Sequence, residues 1–219
     1  NTTGASNVAV GYGSLYDNTT GGSNTSVGNE AMQNNTTASY NVAVGVDALY
    51  TNTTGAYNVA VGAGSLDANT TAANNVAVGY AALGANTTGA SNTAVGMSAL
   101  AANTTATRNV ALGRGAGEAN TTASNITAVG YQALNANTTG ADNTAIGQNA
   151  LDVNTTGSQC VAVGVDALGA QVSGAHYNVA VGHSALKAST TVSNNTAIGF
   201  QALTANTTGG DNTAVGALS

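Results

Sequence analysis

The chain has 219 residues and a net charge of −6, with three basic residues against nine carboxylates, no proline, no tryptophan and one phenylalanine. So few basic groups cannot neutralise a phosphate backbone, which argues against a nucleic-acid partner, and no polybasic segment is present to meet an anionic membrane. A large aromatic core is also excluded, so stability must come from many small contacts made by Val, Ala, Leu and Thr.

Asn-Thr-Thr begins at residues 1, 18, 35, 52, 69, 86, 103, 120, 137 and 154, a constant step of 17 residues. The pattern degrades at Gln171 and Ser189 and returns at Asn206. Twelve full repeats and one truncated repeat fill residues 1–219, which predicts a single repeat array with no separate domain. A unit this short cannot bury a core alone and must stack on its neighbours. The array starts and stops inside the pattern and so reads as an excerpt of a longer fibre. There is no signal peptide, and no apolar run approaches the roughly 20 residues of a membrane span.

Within each repeat the Asn-Thr-Thr segment comes first and reads as a corner or a second strand. Asparagine tolerates left-handed backbone, and identical Asn side chains in a stack can bond along the axis; Thr can do the same while presenting a methyl. A second near-constant asparagine follows, as at Asn41, Asn58, Asn75 and Asn92. Next comes a strand, Val76-Ala77-Val78 in one clean copy, with larger and smaller side chains alternating at the period of a half-buried strand. Its first member is Val or Thr, and its third is always aliphatic, including Leu112, Ile146 and Ile198. Glycine follows in every copy, from Gly11 to Gly216, which predicts positive φ or close backbone approach. Leucine then recurs, as at Leu15, Leu49, Leu66, Leu83 and Leu100, with Met32 substituting once. The third strand members and the leucines each predict an apolar ladder. Whichever ladder is not internal is available to symmetry mates.

The irregular repeats make local expectations. Gly117 interrupts the leucines and predicts a cavity or kink near residues 114–119. Cys160 stands where other copies carry Asn and reads as a drifted surface or turn residue; alone, it forms no intrachain disulfide. Between Gln171 and Ser189 the step is 18, and the extra residue is assigned to Ala-His-Tyr-Asn (175–178), as a corner bulge that leaves the ladders in register.

Motifs such as NVAVGYAAL (75–83) and NTAIGQNAL (143–151) resemble the head repeats of trimeric autotransporter adhesins, whose form is N-S-V-A-I-G-x-x-A/S. The fuller pattern of Asn137 to Val153 is similar to repeats of tail-fibre-type proteins of phages and bacterial surfaces. The resemblance covers essentially the whole chain and implies a left-handed parallel β-roll in which three chains associate as a homotrimer. This sequence departs in its 17-residue period, in placing Asn-Thr-Thr at the corner, and in carrying no heptad stalk, membrane-anchoring barrel or chaperone domain.

The fold expected is therefore all-β, a parallel β-roll or β-solenoid of about thirteen 17-residue coils, each with two short strands and two corners. An α-helical solenoid is excluded because its repeats need about 33–47 residues. The function expected is that of a structural extracellular fibre or adhesin-like segment, on a cell-surface appendage or a virion. Its partners would be itself and glycans or host-surface proteins, with no nucleic acid and no membrane within the segment. The alternative is an ice- or surface-binding solenoid built on the Thr ladders. A polysaccharide-cleaving enzyme would need long loops that these coils lack.

No catalytic, cofactor or metal site is assigned. His176 and His183, with Lys187 nearby, occupy variable corner slots, and Cys160 has no activating histidine in sequence. The acids, among them Asp47, Asp67, Asp152 and Asp166, are scattered and lack a calcium-repeat pattern. Each Asn-Thr-Thr is also an N-glycosylation sequon, but the threonines persist in Ser189-Thr190-Thr191, where the Asn is lost, which favours a structural role. The variable slots mark the outer surface, and Tyr40, Tyr50 and Tyr57 form a candidate contact patch.

Overall fold

Val-Ala-Val and its Thr, Leu and Ile variants are extended, as β-branched residues favour. The computed structural model describes residues 1–171 and 174–219, and each copy of this segment forms a three-residue strand. The first of two units, Asn1–Asn109, carries β1 (Val8–Val10), β2 (Thr25–Val27), β3 (Val42–Val44), β4 (Val59–Val61), β5 (Val76–Val78) and β6 (Thr93–Val95). The second, Val110–Ser219, carries β7 (Val110–Leu112), β8 (Thr127–Val129), β9 (Thr144–Ile146), β10 (Val161–Val163), β11 (Val179–Val181), β12 (Thr196–Ile198) and β13 (Thr213–Val215). Within each unit, successive strands pair in parallel with equivalent residues opposite one another. Val44 faces Val61, and Val61 faces Val78. The architecture is an all-β parallel solenoid in which one repeat makes one coil.

Each coil holds one strand, not the two expected. The Asn-Thr-Thr and Leu segments are turns that still bond to adjacent coils: the Leu49 N–H donates to Ser65 O at 3.0 Å and the Thr53 N–H to Thr70 O at 2.9 Å. The reason lies in the backbone. Following one coil from its strand, Gly45, Asp47, Leu49 and Tyr57 have φ of 140°, 56°, 54° and 60°. Each left-handed residue turns the chain, so extended structure stops after three residues. An L-residue in this conformation costs about 1–2 kcal/mol, which the cross-coil bonds must offset.

The glycine after the strand satisfies both reasons proposed for it. At Gly79 φ is 133°, and an added Cβ would lie 2.6 Å from the Gly96 carbonyl oxygen. The strand's alternation decides what is inside. Central residues such as Ala43, Ala60 and Ala77 are fully buried, and the leucines join them, with Leu49, Leu66 and Leu83 completely enclosed. The third strand residues point out, with Val44 37% and Ile146 40% exposed. The leucine ladder is thus internal, and the strand's aliphatic ladder is external.

Gly117 does not kink the chain. Its φ is 59°, close to the 55° of Leu134 in the next coil, and its N–H bonds to Ala133 O at 2.9 Å. β7 and β8 stay in register. A leucine side chain is lost there without a change of path, and Ile126, in a usual asparagine slot, returns a buried aliphatic nine residues later.

The 18-residue step leaves the ladder in register, with Val161 opposite Val179. The assignment of the extra residue to 175–178 is corrected. Gln171 Nε2 bonds to Asn154 Oδ1, and Ala175 lies against Gly157, so residues 175–178 match 157–160 one for one. The additional residue falls within 172–174, of which 172 and 173 lie outside the described residues.

Gly79→Ala is expected to lower stability by about 3 kcal/mol or more, since it adds backbone strain to a steric clash. Thermal or denaturant unfolding checks this.

Candidate functional site

The interior is built from amide side chains as well as aliphatic ones. In the first asparagine row, Asn69 Nδ2 donates to Asn52 Oδ1 at 2.9 Å and to Ala72 O at 3.1 Å. The first bond joins successive coils, and the second closes the Asn-Thr-Thr turn. In the second row, the Asn75 N–H donates to Asn58 Oδ1 at 3.0 Å, and Asn75 Nδ2 donates to Gly89 O at 2.9 Å. These asparagines are fully buried. The sequon nitrogen of each interior copy is therefore enclosed and engaged, and the folded coil offers no access to it.

The two threonines of each corner differ. The first sends its hydroxyl to the next coil, as from Thr53 Oγ1 to Thr70 O at 3.1 Å. The second, as at Thr54, Thr71 and Thr88, is exposed.

Cys160 is not a surface residue. It is fully buried in the second asparagine row, where Gln171 Nε2 approaches its sulfur at 3.4 Å. Burial raises the thiol pKa, with the Gln171 hydrogen bond opposing, so it is a poor nucleophile. Gln171 compensates for the substitution: its longer side chain also accepts from Asn178 Nδ2 at 3.1 Å and so links the two amide rows.

The histidines have separate environments. His176 Nδ1 accepts the Ser158 N–H at 3.0 Å, whereas His183 stacks on Phe200 with ring centroids 5.6 Å apart. Lys187 does not join a histidine but bonds to Asp166 Oδ2 at 2.8 Å. That bond holds the Asp166 pKa down, while burial raises those of Asp67 and Asp152. Of the three tyrosines, Tyr40 and Tyr57 stack with centroids 5.1 Å apart, and Tyr50 instead lines a cleft with Glu30, Asp47 and Asp67. Among the described residues, no three His, Cys, Asp or Glu side chains are grouped to hold a metal, and no helix is long and apolar enough to cross a membrane.

The outer strand face is a further candidate surface. Its third-position row contains only aliphatic residues: Val44, Val61, Val78 and Val95 in the first unit, and Leu112, Val129, Ile146 and Val163 in the second. Val46, Met97, Tyr131, Val165 and Phe200, one residue past the glycine, are exposed beside it. Sequence reasoning placed the slot after the glycine on the outer surface but left open which of the two apolar ladders faces outward. No family model, curated protein or solved structure matches the chain.

Asn69→Ala is expected to cost about 2–3 kcal/mol, because it leaves buried partners unpaired on both sides of the coil. Denaturant unfolding checks this. Asp67→Asn is expected to melt above the parent at neutral pH. The folded-state pKa of Asp67 is raised, so its charged form opposes folding above that pKa. The difference should vanish as pH falls below the unfolded carboxylate range. Melting temperature against pH reads it.

Proposed function

We propose that this chain is a structural, adhesin-like segment of an extracellular fibre, on a cell-surface appendage or a virion, and that it assembles as a homotrimer of left-handed coils. One observation carries the reading: the strands expose an unbroken aliphatic row along each unit. In a segment of this kind that row meets its counterparts in two further copies, and the interior amide rows hold the coils in line. The resemblance of the repeats to adhesin heads and tail fibres supports the same assembly and winding. The role is mechanical and adhesive, with no reaction assigned.

A second reading, surface or ice binding, draws on the exposed second threonines. First-threonine hydroxyls such as those of Thr53 and Thr70 are bonded to neighbouring coils, so the exposed hydroxyls come from the second row, where Thr156 accepts the Gly174 N–H. Measurable thermal hysteresis would favour this reading over the fibre.

Light scattering is expected to give three times the chain mass for the parent and the single-chain mass for Val61→Glu, with the strand circular dichroism retained. A parent that is monomeric at micromolar concentration would overturn the trimer.

A further inference from the structure

The residue two past the glycine and the residue after the leucine form two parallel surface rows. Over residues 1–68 the first row holds Gly13, Glu30, Asp47 and Gly64, and the second holds Tyr16, Gln33, Tyr50 and Asp67. Between the rows lie two clefts. One, of about 210 Å³, is lined by Tyr12, Gly13, Tyr16 and Gln33; the other, of about 160 Å³, by Glu30, Asp47, Tyr50 and Asp67. They adjoin, because Gly13 of the first packs against Glu30 of the second: a Cβ on Gly13 would be 3.2 Å from Glu30 Cγ and 3.8 Å from Gln33 Cδ.

This groove is lined by three carboxylates and has no cationic side chain. Among the described residues, no side chain donates to the carboxylates of Glu30, Asp47 or Asp67, that of Asp67 meeting only the backbone N–H groups of Asp67 and Ala68, and Gln33 Oε1 is buried with no partner. The second unit provides an internal comparison. There Lys187 fills the slot equivalent to Asp67, Asp166 fills that of Asp47, and the two bond at 2.8 Å. Asn135 Nδ2 likewise donates to Glu118 Oε2 at 3.0 Å, and Thr204 Oγ1 to Ser184 O at 2.7 Å. At this pair of slots the second unit thus joins a carboxylate to an ammonium, whereas the first unit sets two carboxylates there. In the first unit, the place of the Lys187 ammonium is taken by a second carboxylate, and an aromatic ring stands beside it.

We propose that this groove binds an amino-sugar oligosaccharide, with a protonated amine between Asp47 and Asp67, hydroxyls donating to Glu30, and sugar faces against Tyr50 and Tyr16. The proposal deepens the adhesin-like reading by naming what the segment adheres to. The three carboxylates disfavour acidic glycans by charge repulsion. Stacked coils advance about 4.8 Å each, close to the step of one β-linked hexose, so consecutive sugars meet consecutive coils. Aromatic rings offer the flat apolar surface that a pyranose face needs.

The test titrates a β-1,4-linked glucosamine tetramer into the intact protein, read by calorimetry and by tyrosine fluorescence, which is not masked because the chain has no tryptophan. Binding is expected, weakening as salt is raised, and falling at least tenfold in Asp67→Lys. That variant copies the arrangement the second unit already folds around. Asp47→Asn with Asp67→Asn is the size-matched alternative should the lysine perturb folding, and it is expected to lose binding likewise. No binding by the parent, unchanged binding by both variants, or equal binding of the N-acetylated tetramer would overturn the proposal. The assembly reading is judged separately by light scattering: a monomer that binds the sugar refutes only the trimer, and a trimer that does not bind refutes only this site.

Discussion

The structure depends on an amide side chain enclosed inside each coil and bonded to the equivalent amide of the next. An unpaired buried amide costs about 1–3 kcal/mol, so each asparagine is tolerable only while its neighbour is present. That mutual requirement fixes the step between coils. A coil displaced by one residue would leave the Asn52–Asn69 and Asn58–Asn75 contacts unmade together. Leucines and alanines fill the rest of the interior, but aliphatic packing is tolerant of small shifts and does not select a register so sharply. The substitutions at Cys160 and Gln171 follow the same logic: the amide lost from one row is answered by a longer amide in the other.

Left-handed backbone is the second constraint. Besides the glycine after the strand, most coils place three residues at φ near 50–60°, as Tyr40, Asp47 and Leu49 do, and the leucine two residues before the coil ends is among them wherever the repeat carries one; Gly13, Gly64, Gly115 and Gly117 fill some of these slots instead. Leucine is an unfavourable choice for that conformation, and its retention indicates that enclosing its side chain outweighs the strain. Gly117 makes the trade visible. It relaxes the backbone at the cost of the side chain, and the coil follows the same path. The turns that result leave room for only three extended residues, so the external face is narrow and its chemistry is set by two strand side chains per coil.

Much of this was legible from the repeat. The 17-residue period, the strand, the glycine and the axial asparagine contacts each follow from a position that admits few residue types. Direction was harder to read. Alternation of Val and Ala states that one set faces inward, and hydrophobicity points to Val; the structure encloses Ala instead, because Leu and two Asn rows already occupy the interior. Cys160 was misread for a related reason: its slot looks polar and therefore exposed, whereas asparagine is internal in this fold. The second expected strand was lost to left-handed residues at Asp47 and Leu49 that no single-residue propensity announces. The groove of the first unit escaped notice because its residues lie up to 55 positions apart, from Tyr12 to Asp67, and converge only once the coils are stacked.

Enclosure of the Asn-Thr-Thr nitrogen also sets an order of events. A glycosylating enzyme can reach Asn69 only before its coil has closed against the next, and an attached glycan would then have no place in the interior. In a eukaryotic secretory pathway, coil closure and sugar transfer are therefore competing fates for the same nascent segment, and a chain modified at an inner repeat is diverted from the native stack. The host in which this protein is made thus bears on whether it folds at all.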